Sequence, residues 1–311
     1  MSLALVHLVR KENGIAALRA FAESYRAVPA GADHDLVLVL KGFDSTRDAR
    51  EHAARAGAVA DAELLVADEG FDLGAYFAAA DRLDHDRLCF VNSFTTARAT
   101  GWLGLLDAAA SAPGAGLVGA TGSWASHWSW ARYELFLPST YTRIFESRTV
   151  AAEQMLRAAR AQGAALARRT SWPPWRLLGA LRRSPFFARG FDQFPAYHLR
   201  TNGFLIASEL MRSLDRERIE TKFDAYRLES GVSSIMRQVE ALGLAALVAG
   251  ADRRVYNRDE WAASRTFWQG NQENRLLDDN QTRVYDRGDL PLRDFLARFA
   301  WGGAAAPEAP P

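Results

Sequence analysis

The stretch LCFVNSFT, residues 88–95, decides the fold of this chain. Its apolar half is the fourth short apolar run in about ninety residues, and helix-like segments separate the runs. Alternation of this kind predicts parallel crossover units within one open sheet. Because such sheets bind ligands at the carboxyl ends of their strands, the polar end at Asn92 and Ser93 is expected to face a ligand.

The other apolar runs fit the same sheet. Strands are predicted over 3–9, 36–40, 63–67, 88–91, 116–120, 201–206 and 244–249, with helices from residue 15 onward and over 73–83, 101–110 and 232–242. The run 36–40 is apolar throughout, which is typical of a central parallel strand covered on both faces. Ser45, in the polar turn that follows, is expected to cap the next helix. The expected fold class is therefore α/β, an open, mostly parallel sheet with helices on both faces.

The composition excludes several classes of protein. The chain has 311 residues, of which 49% are hydrophobic and 24% charged, and its net charge of +1 gives no overall field toward nucleic acid. No apolar run approaches the roughly 18 residues that cross a bilayer, and the first residues do not resemble a signal peptide. The single cysteine, Cys89, lies in an apolar strand, which excludes an intrachain disulfide and fits a reducing cytoplasm.

Familiar cofactor motifs are missing or misplaced. The pattern G-x-G-x-x-G occurs at Gly114, Gly116 and Gly119. These glycines lead into and through a predicted strand, whereas a dinucleotide site needs them after a strand and at the start of a helix. The sequence contains no phosphate-binding P-loop and no G-x-S-x-G nucleophile motif. A nicotinamide or flavin cofactor is therefore not expected.

Five segments carry a family resemblance. They are the second-strand turn 41–44, the glycine-containing helix start 71–76, the fourth-strand end 92–94, the strand 202–206 and the acidic segment 228–231. In order and spacing, over about residues 3–250, the chain resembles the GT-A nucleotide-sugar glycosyltransferases. More specifically, it looks like the inverting family that includes many polysaccharide and O-antigen transferases. The resemblance implies a GT-A-like sheet and transfer of a sugar, with inversion, from a nucleotide-diphosphate donor to a hydroxyl of a glycan or lipid-linked saccharide.

The chain departs from that family at the end of the fourth strand. Asn92-Ser93-Phe94 stands where the family has an aspartate-x-aspartate motif. Because hard cations prefer carboxylate oxygens, the departure argues against bound Mg²⁺ or Mn²⁺, and no metal ligand is assigned. The charge of the donor diphosphate is then expected to be met by His7, Arg10, Lys41 or the helix N-terminus near Gly74. Two alternatives stay open, namely that Asn92 and Ser93 form a plain strand-ending turn and that Lys41 is a surface charge.

The resemblance also implies a catalytic carboxylate. Glu229 is the expected general base, because an inverting transfer needs a carboxylate to take the proton of the acceptor hydroxyl. The helix predicted to follow it would keep the carboxylate ionised, although an acidic residue there is equally well explained as a helix cap. Asp224 is the second choice of base.

Further residues complete the predicted site. Asp72 is expected to bind the nucleotide base or ribose, or else to cap the helix at 73, and Tyr76 is placed beside it on the donor side. Asn202, Trp268 and Asn271 are assigned to the acceptor, because sugars are commonly held by aromatic stacking and amide hydrogen bonds. Alternatively, the segment that holds Trp268 and Asn271 is a polar loop packed on the sheet.

The predicted organisation has five parts. They are a nucleotide-sugar-binding half (1–123), a basic aromatic helical insertion (124–195), an acceptor and catalytic half (196–250), a C-terminal extension (251–301) and a disordered tail (302–311). Residues 172–191 mix arginines with aromatic rings and contain no acid, which is typical of an interfacial helix on anionic lipid. A cytoplasmic protein in peripheral contact with the membrane is therefore expected, unless this helix packs on the sheet or on a partner subunit.

Two other functions remain open from the sequence. The missing aspartate pair is consistent with a nucleotide-sugar-binding or scaffold protein that has lost catalysis. A nucleotidyltransferase, another α/β enzyme that uses nucleotides, would also need a cleft at the carboxyl ends of the strands. No nucleic-acid partner is expected in any of the three cases.

Overall fold

The computed structural model describes residues 1–127, 189–216 and 218–304. The strands within these ranges are β1 (Leu3–Arg10), β2 (Asp35–Lys41), β3 (Ala62–Val66), β4 (Arg87–Val91), β5 (Thr96–Ala97), β6 (Ala115–Gly119), β7 (Gly122–Ser123), β8 (His198–Leu199), β9 (Gly203–Ala207), β10 (Ala245–Ala249), β11 (Val255–Tyr256) and β12 (Leu277–Asp278). Each predicted strand is found, with its ends moved by a residue or two. The apolar runs predict the strands well because a buried strand must be apolar on both faces.

The helices of the same ranges are α1 (Gly14–Ala27), α2 (Thr46–Ala56), α3 (Phe71–Arg82), α4 (Trp102–Ala110), α5 (Ser208–Ser213), α6 (Lys222–Ser230), α7 (Ile235–Ala241), α8 (Asn280–Asp286) and α9 (Leu290–Trp301). Short 3-10 segments occupy Lys11–Asn13, Arg258–Ser264 and Gly302–Ala304. The predicted cap is confirmed, because the Ser45 side chain accepts a hydrogen bond from the backbone N–H of Asp48 at the start of α2.

Eight of the described strands form one sheet in the order β11-β10-β6-β9-β4-β1-β2-β3. Strand β9 runs antiparallel to both β4 and β6, and β11 runs antiparallel to β10, whereas the remaining pairs are parallel. The predicted open, mostly parallel α/β sheet is confirmed. Two antiparallel ribbons, β5–β12 and β7–β8, lie outside it.

Helices cover both faces of the sheet, as predicted. Apolar side chains of α3, α6, α7 and α9 form one buried layer, with Leu73 and Leu228 among its members. A second buried layer takes its side chains from α1, α2 and α4, with Leu18 and Leu103 among its members. The two layers place the carboxyl ends of the parallel strands at one open edge, which is where the site lies.

One predicted helix is found with a later start, and a second helix precedes it, which matters for the site. The predicted helix 232–242 begins only at Ile235, where Ser234 is the N-cap. The preceding segment is itself helical, because α6 covers Lys222–Ser230. The sequence signal of α6 is weak, since polar residues dominate its nine positions.

Parts of the sequence prediction lie outside the described residues. Residues 128–188 belong to the predicted insertion and include nearly all of 172–191, so the interfacial helix remains a prediction. The last seven residues, 305–311, are also outside, and the five-part organisation stays a prediction. No helix in the described part of the chain is long and apolar enough to cross a bilayer.

Candidate active site

A cavity of about 210 Å³ opens where β1 and β4 end. Six of the residues predicted for the site line it, namely Arg10, Asp72, Asn92, Ser93, Glu229 and Trp268. They come from the ends of β1 and β4, from α3, from α6 and from the C-terminal extension. A cavity is therefore present at the strand ends, where the sequence predicts a ligand site.

The end of β4 is tied together by its own polar groups. The Asn92 Oδ1 atom accepts hydrogen bonds from the backbone N–H of Phe94 (2.9 Å) and from Thr95 Oγ1 (3.1 Å). The buried Ser93 hydroxyl donates to the carbonyl of Leu8 (2.8 Å). These bonds match the alternative of a strand-ending turn, while both side chains also line the cavity. Because its oxygen is used, Asn92 has its amide nitrogen left to offer a ligand.

Arg10 and Asp72 approach each other at the rim of the same region. The Arg10 guanidinium lies 2.5 Å from a Glu12 carboxylate oxygen and 3.8 Å from an Asp72 oxygen. Asp72 lies in the first turn of α3, whose N-cap is Gly70, so Asp72 is not the cap that the alternative proposed. An arginine and a carboxylate that both face a cavity can hold phosphate and ribose hydroxyl groups respectively.

His7 and Tyr76, both predicted to bind the donor, lie beneath the cavity instead of lining it. His7 is fully buried in β1 and stacks on Phe21 of α1 with ring centroids 3.7 Å apart, and burial lowers its pKa to about 3. Tyr76 is also fully buried, packing on Phe90 and Phe204. Strand alternation turns the His7 side chain toward α1, and Tyr76 lies on the face of α3 that packs on the sheet. Neither side chain therefore reaches the cavity at the strand ends.

Lys41 is neither a surface charge nor a cavity residue. Only 1% of it is exposed, and its ammonium donates to the backbone carbonyls of Glu69 (2.5 Å) and Phe71. Burial lowers its pKa, with the nearby Arg10 acting in the same direction. Lys41 therefore fixes the turn that leads into α3, and through that turn it positions Asp72.

Asp224 also has a structural task. It forms a capping box with Thr221 at the start of α6, accepting hydrogen bonds from the backbone N–H groups of Thr221 (2.7 Å) and Glu220 (3.2 Å). Burial alone would raise its pKa, but the hydrogen bonds from Thr221 and Glu220 lower it below the ordinary value. Asp224 does not line the cavity, so the structure offers no support for it as a base.

The acceptor residues divide in the same way. Asn202 is buried, and its Oδ1 accepts from Thr121 Oγ1 (2.6 Å), which locks strand ends together beneath the cavity. Asn271 is exposed and does not line the cavity. Trp268 does line it, held by a hydrogen bond from its indole N–H to the Gln281 carbonyl (3.0 Å) and stacked on Phe267. The segment is thus both packed on the protein and available as an aromatic wall.

Glu229 lies in the last turn of α6 and is half-buried at the cavity. The prediction that a helix N-terminus stabilises its charge is wrong, as is the helix-cap alternative, because Thr221 and Ser234 cap α6 and α7. Burial raises the pKa of Glu229, Asp72 adds to the effect, and Lys222 and Arg200 oppose it. The C-terminal end of a helix dipole likewise disfavours a negative charge.

No hydrogen bond or ion pair engages the Glu229 carboxylate within the described ranges. An unpartnered carboxylate at a cavity, with a pKa shifted upward, is the usual arrangement of a general acid or base. Its environment distinguishes it from Asp224, whose Oδ2 atom accepts the hydrogen bonds of the capping box.

Two cations were missed by the sequence analysis. Lys222 opens α6, and its ammonium lies over the rings of Phe71 (5.1 Å) and Tyr226 (4.9 Å). It precedes Glu229 by seven residues, about two helical turns, so both lie on one face of α6. The spacing of seven residues indicates this shared face only once residues 222–230 are known to be helical, whereas the predicted helix begins after Glu229.

The second missed cation is Arg200. Its guanidinium lies 2.6 Å from Asp279 and 4.0 Å from the centre of the Phe267 ring. Asp279 is fully buried and also accepts from the Thr282 backbone N–H (2.8 Å) as the cap of α8. Both members of the pair line the cavity. Nothing in the local sequence marks the pair, since its members are far apart along the chain.

Two neutral histidines, also missed, complete the wall beside Glu229. Burial lowers the pKa of His127 to about 3 and that of His198 to about 4, so both rings are uncharged near neutral pH. The His198 Nδ1 atom lies 2.9 Å from the Ala196 carbonyl, which can only accept. Nδ1 therefore carries the proton, and Nε2 is left as an acceptor for a hydroxyl group.

The cavity does not have the ligands that a divalent cation requires. Its carboxylates are Asp72, Glu229 and Asp279, from three different elements. Asp279 is occupied by Arg200 and by the backbone of α8, and Asp72 is shared with Arg10. No cluster of three or more His, Cys, Asp or Glu side chains suited to a metal occurs among the described residues. The donor set thus does not fit resident Mg²⁺ or Mn²⁺.

Among known proteins, the chain resembles solved structures only. No protein-family model matches the chain. No curated protein matches it either. The chain is similar to glucosyl-3-phosphoglycerate synthase from Mycobacterium tuberculosis in complex with Mn²⁺, UDP and glucosyl-3-phosphoglycerate, at 15% identity and a TM-score of 0.38, covering 83% of this chain and 72% of that one. It is also similar to a mannosyltransferase from Pyrobaculum calidifontis in complex with GDP-Man and Mn²⁺, at 12% identity and a TM-score of 0.43, covering 85% of this chain and 59% of that one. Similarities this low do not transfer an activity.

Proposed function

We propose that this protein transfers a sugar from a nucleotide-diphosphate donor to a hydroxyl acceptor, with inversion, and that Glu229 is the general base. The observation that carries the proposal is the Glu229 carboxylate itself. It lines the cavity at the strand ends, has no partner in the described part of the chain, and has a pKa raised by burial. An unpartnered carboxylate that is withdrawn from water costs stability, and groups of this kind are concentrated at sites where chemistry uses them.

The donor side of the cavity supports this assignment. Arg10, Asp72, Asn92 and Ser93 line it together at the ends of β1 and β4 and at the start of α3. An arginine suits a diphosphate, and a carboxylate suits the hydroxyls of a ribose. Open α/β sheets bind nucleotides at this edge of the sheet.

The other side suits a saccharide. Trp268 presents an aromatic ring to the cavity, and the free Nε2 atom of His198 accepts a hydrogen bond from a hydroxyl. A glycan or a lipid-linked saccharide offers the apolar ring face and the hydroxyl groups that such a wall binds. Sugar acceptors of this kind are the class we assign.

The proposed reaction uses these residues as follows. Glu229 takes the proton of the acceptor hydroxyl while the acceptor oxygen forms a bond to the anomeric carbon. The bond from that carbon to the diphosphate oxygen breaks, and its electron pair leaves with the nucleoside diphosphate. Attack from the face opposite the leaving group inverts the configuration.

The test is release of nucleoside diphosphate from a panel of nucleotide sugars by the wild type and by Glu229→Gln. Glu209→Gln is the matched control, because Glu209 is exposed on α5 and does not line the cavity. Glu229→Gln is expected to lower the rate by about 10²- to 10⁴-fold, which is the usual contribution of a general base. Glu209→Gln is expected to behave like the wild type.

Other results would favour the alternatives. Equal background release by the wild type and Glu229→Gln would leave a binding or scaffold protein. Formation of a nucleoside triphosphate together with a sugar phosphate would identify a nucleotidyltransferase.

A further inference from the structure

The Lys222 ammonium forms no ion pair with a carboxylate of the described residues, although its charge acts on Glu229. Its ammonium is held over the Phe71 and Tyr226 rings, and no ion pair to it is found in the described part of the chain. The other cations of the cavity differ in this respect, because Arg200 is paired with Asp279 and Arg10 with Glu12. An ammonium that is fixed in position but unpaired is suited to an anion brought by a ligand.

Lys222 and Arg10 converge on one place from two different elements. Lys222 contacts the ring of Phe71, and Arg10 lies 3.8 Å from the carboxylate of Asp72, the next residue of α3. The two cations therefore flank the start of α3. Lys222 also shares a face of α6 with Glu229, about two turns away, so a group bound at Lys222 lies within reach of the proposed base.

The groups that line the cavity do not form a metal site that could neutralise the diphosphate in place of these two cations. The end of β4 supplies an amide and a hydroxyl, both of which already bond to the protein, and Asp279 is fully engaged. The negative charge that develops on a leaving diphosphate must therefore be met by groups that are positive themselves. Preorganised cations aimed at developing charge perform this task in a water-poor site.

We propose that Lys222, together with Arg10, binds the diphosphate of the donor and stabilises its charge as it leaves, in place of a divalent cation. This rests on the function proposed above and adds the residue and the means of charge neutralisation. Lys222 is then a catalytic residue, since it touches the leaving group.

The test is calorimetric binding of UDP, GDP, ADP and dTDP in the presence of chelator, and again with added Mg²⁺ or Mn²⁺. The wild type, Lys222→Met and Lys222→Arg are compared. Arg218→Met, which removes an exposed charge four residues earlier, is the control. Circular dichroism and the melting temperature verify that each variant is folded.

The wild type is expected to bind at least one of these nucleotides equally well with and without divalent cation. Lys222→Met should weaken that binding by about tenfold or more and lower kcat for sugar transfer by about 10²-fold, whereas Lys222→Arg should retain most of both. Arg218→Met should change neither.

The results that overturn the proposal are separate from those that overturn the proposed function. Binding that requires added Mg²⁺ or Mn²⁺, or unchanged binding by Lys222→Met, would reject the role of Lys222 alone. If the wild type binds none of the four nucleotides under either condition, the donor assignment fails and the role of Lys222 fails with it.

Discussion

Arg200 and Asp279 form a buried ion pair, 2.6 Å between nitrogen and oxygen, that joins the segment before β9 to the start of α8. Asp279 is fully buried, and only 11% of the Arg200 side chain is exposed. The pair therefore attaches the C-terminal extension to the main sheet at the wall of the cavity. Loss of one member would leave the other charge buried without a partner.

Asp279→Asn is expected to lower the free energy of unfolding by about 3 kcal/mol, the usual effect of breaking a buried pair from one side. Asparagine still caps α8, so the loss reports the ion pair. Urea denaturation measures the change. Arg298→Met, which removes an exposed ion pair with Asp294, is the control and should cost no more than about 1 kcal/mol. A similar small change for Asp279→Asn would mean that the buried pair contributes little.

The pH dependence of activity should report Glu229. Because burial raises its pKa, kcat/KM is expected to fall, as the pH is lowered, through a pKa above the ordinary glutamate value of about 4.3. Lys222 lowers that pKa, so Lys222→Met should move this acid limb to still higher pH. Rate profiles of the wild type and of Lys222→Met measure the shift. An acid limb in the same place in both proteins would contradict a base that senses Lys222.

His7 should make the protein sensitive to acid. Its pKa is about 3 in the folded state, through burial, and near 6.5 in the unfolded chain, so below pH 6.5 the unfolded state binds the proton first. The stabilising effect of the neutral ring is present above pH 6.5 and is lost at up to about 1.4 kcal/mol per pH unit as the pH falls toward 3. Unfolding free energies across this range should show a shallower slope for His7→Phe than for the wild type. Parallel slopes would exclude His7 as a source of the sensitivity.

Asp224→Ala separates the two acidic residues of α6. Loss of the capping box is expected to cost about 1 kcal/mol of stability, because the N–H groups of Thr221 and Glu220 lose their acceptor. Sugar transfer by the variant should stay within a few-fold of the wild type at a temperature where it is folded. An activity loss as large as that of Glu229→Gln would instead make Asp224 part of the chemistry.

The sequence predicts where the main strands of the sheet lie, but it does not predict the direction of β9. Each apolar run gives a strand because burial on both faces leaves no polar position. Strand β9 is apolar in the same way, yet it runs antiparallel between β4 and β6. Apolar runs contain no information on direction, which depends on the path of the chain between strands.

For the site, the sequence identifies strand-end residues better than residues from elsewhere. Asn92 and Ser93 follow a strand, and both line the cavity. Lys41 also ends a strand, but it lies on the same face of β2 as Val37 and Val39, which α3 covers. The alternation of side chains along a strand could have predicted its burial. His198 and Arg200 have no local pattern, because only the three-dimensional fold brings them beside Glu229.

The short β7–β8 ribbon pairs residues 122–123 with residues 198–199, which are far apart along the chain. Gly122 pairs with Leu199 and Ser123 with His198, and both Ser123 and His198 line the cavity. The backbone pairing that holds these two residues at the cavity wall is therefore separate from the eight-stranded sheet. Substitutions of the Ser123 and His198 side chains would thus reshape the cavity wall without disturbing any strand pairing of the eight-stranded sheet.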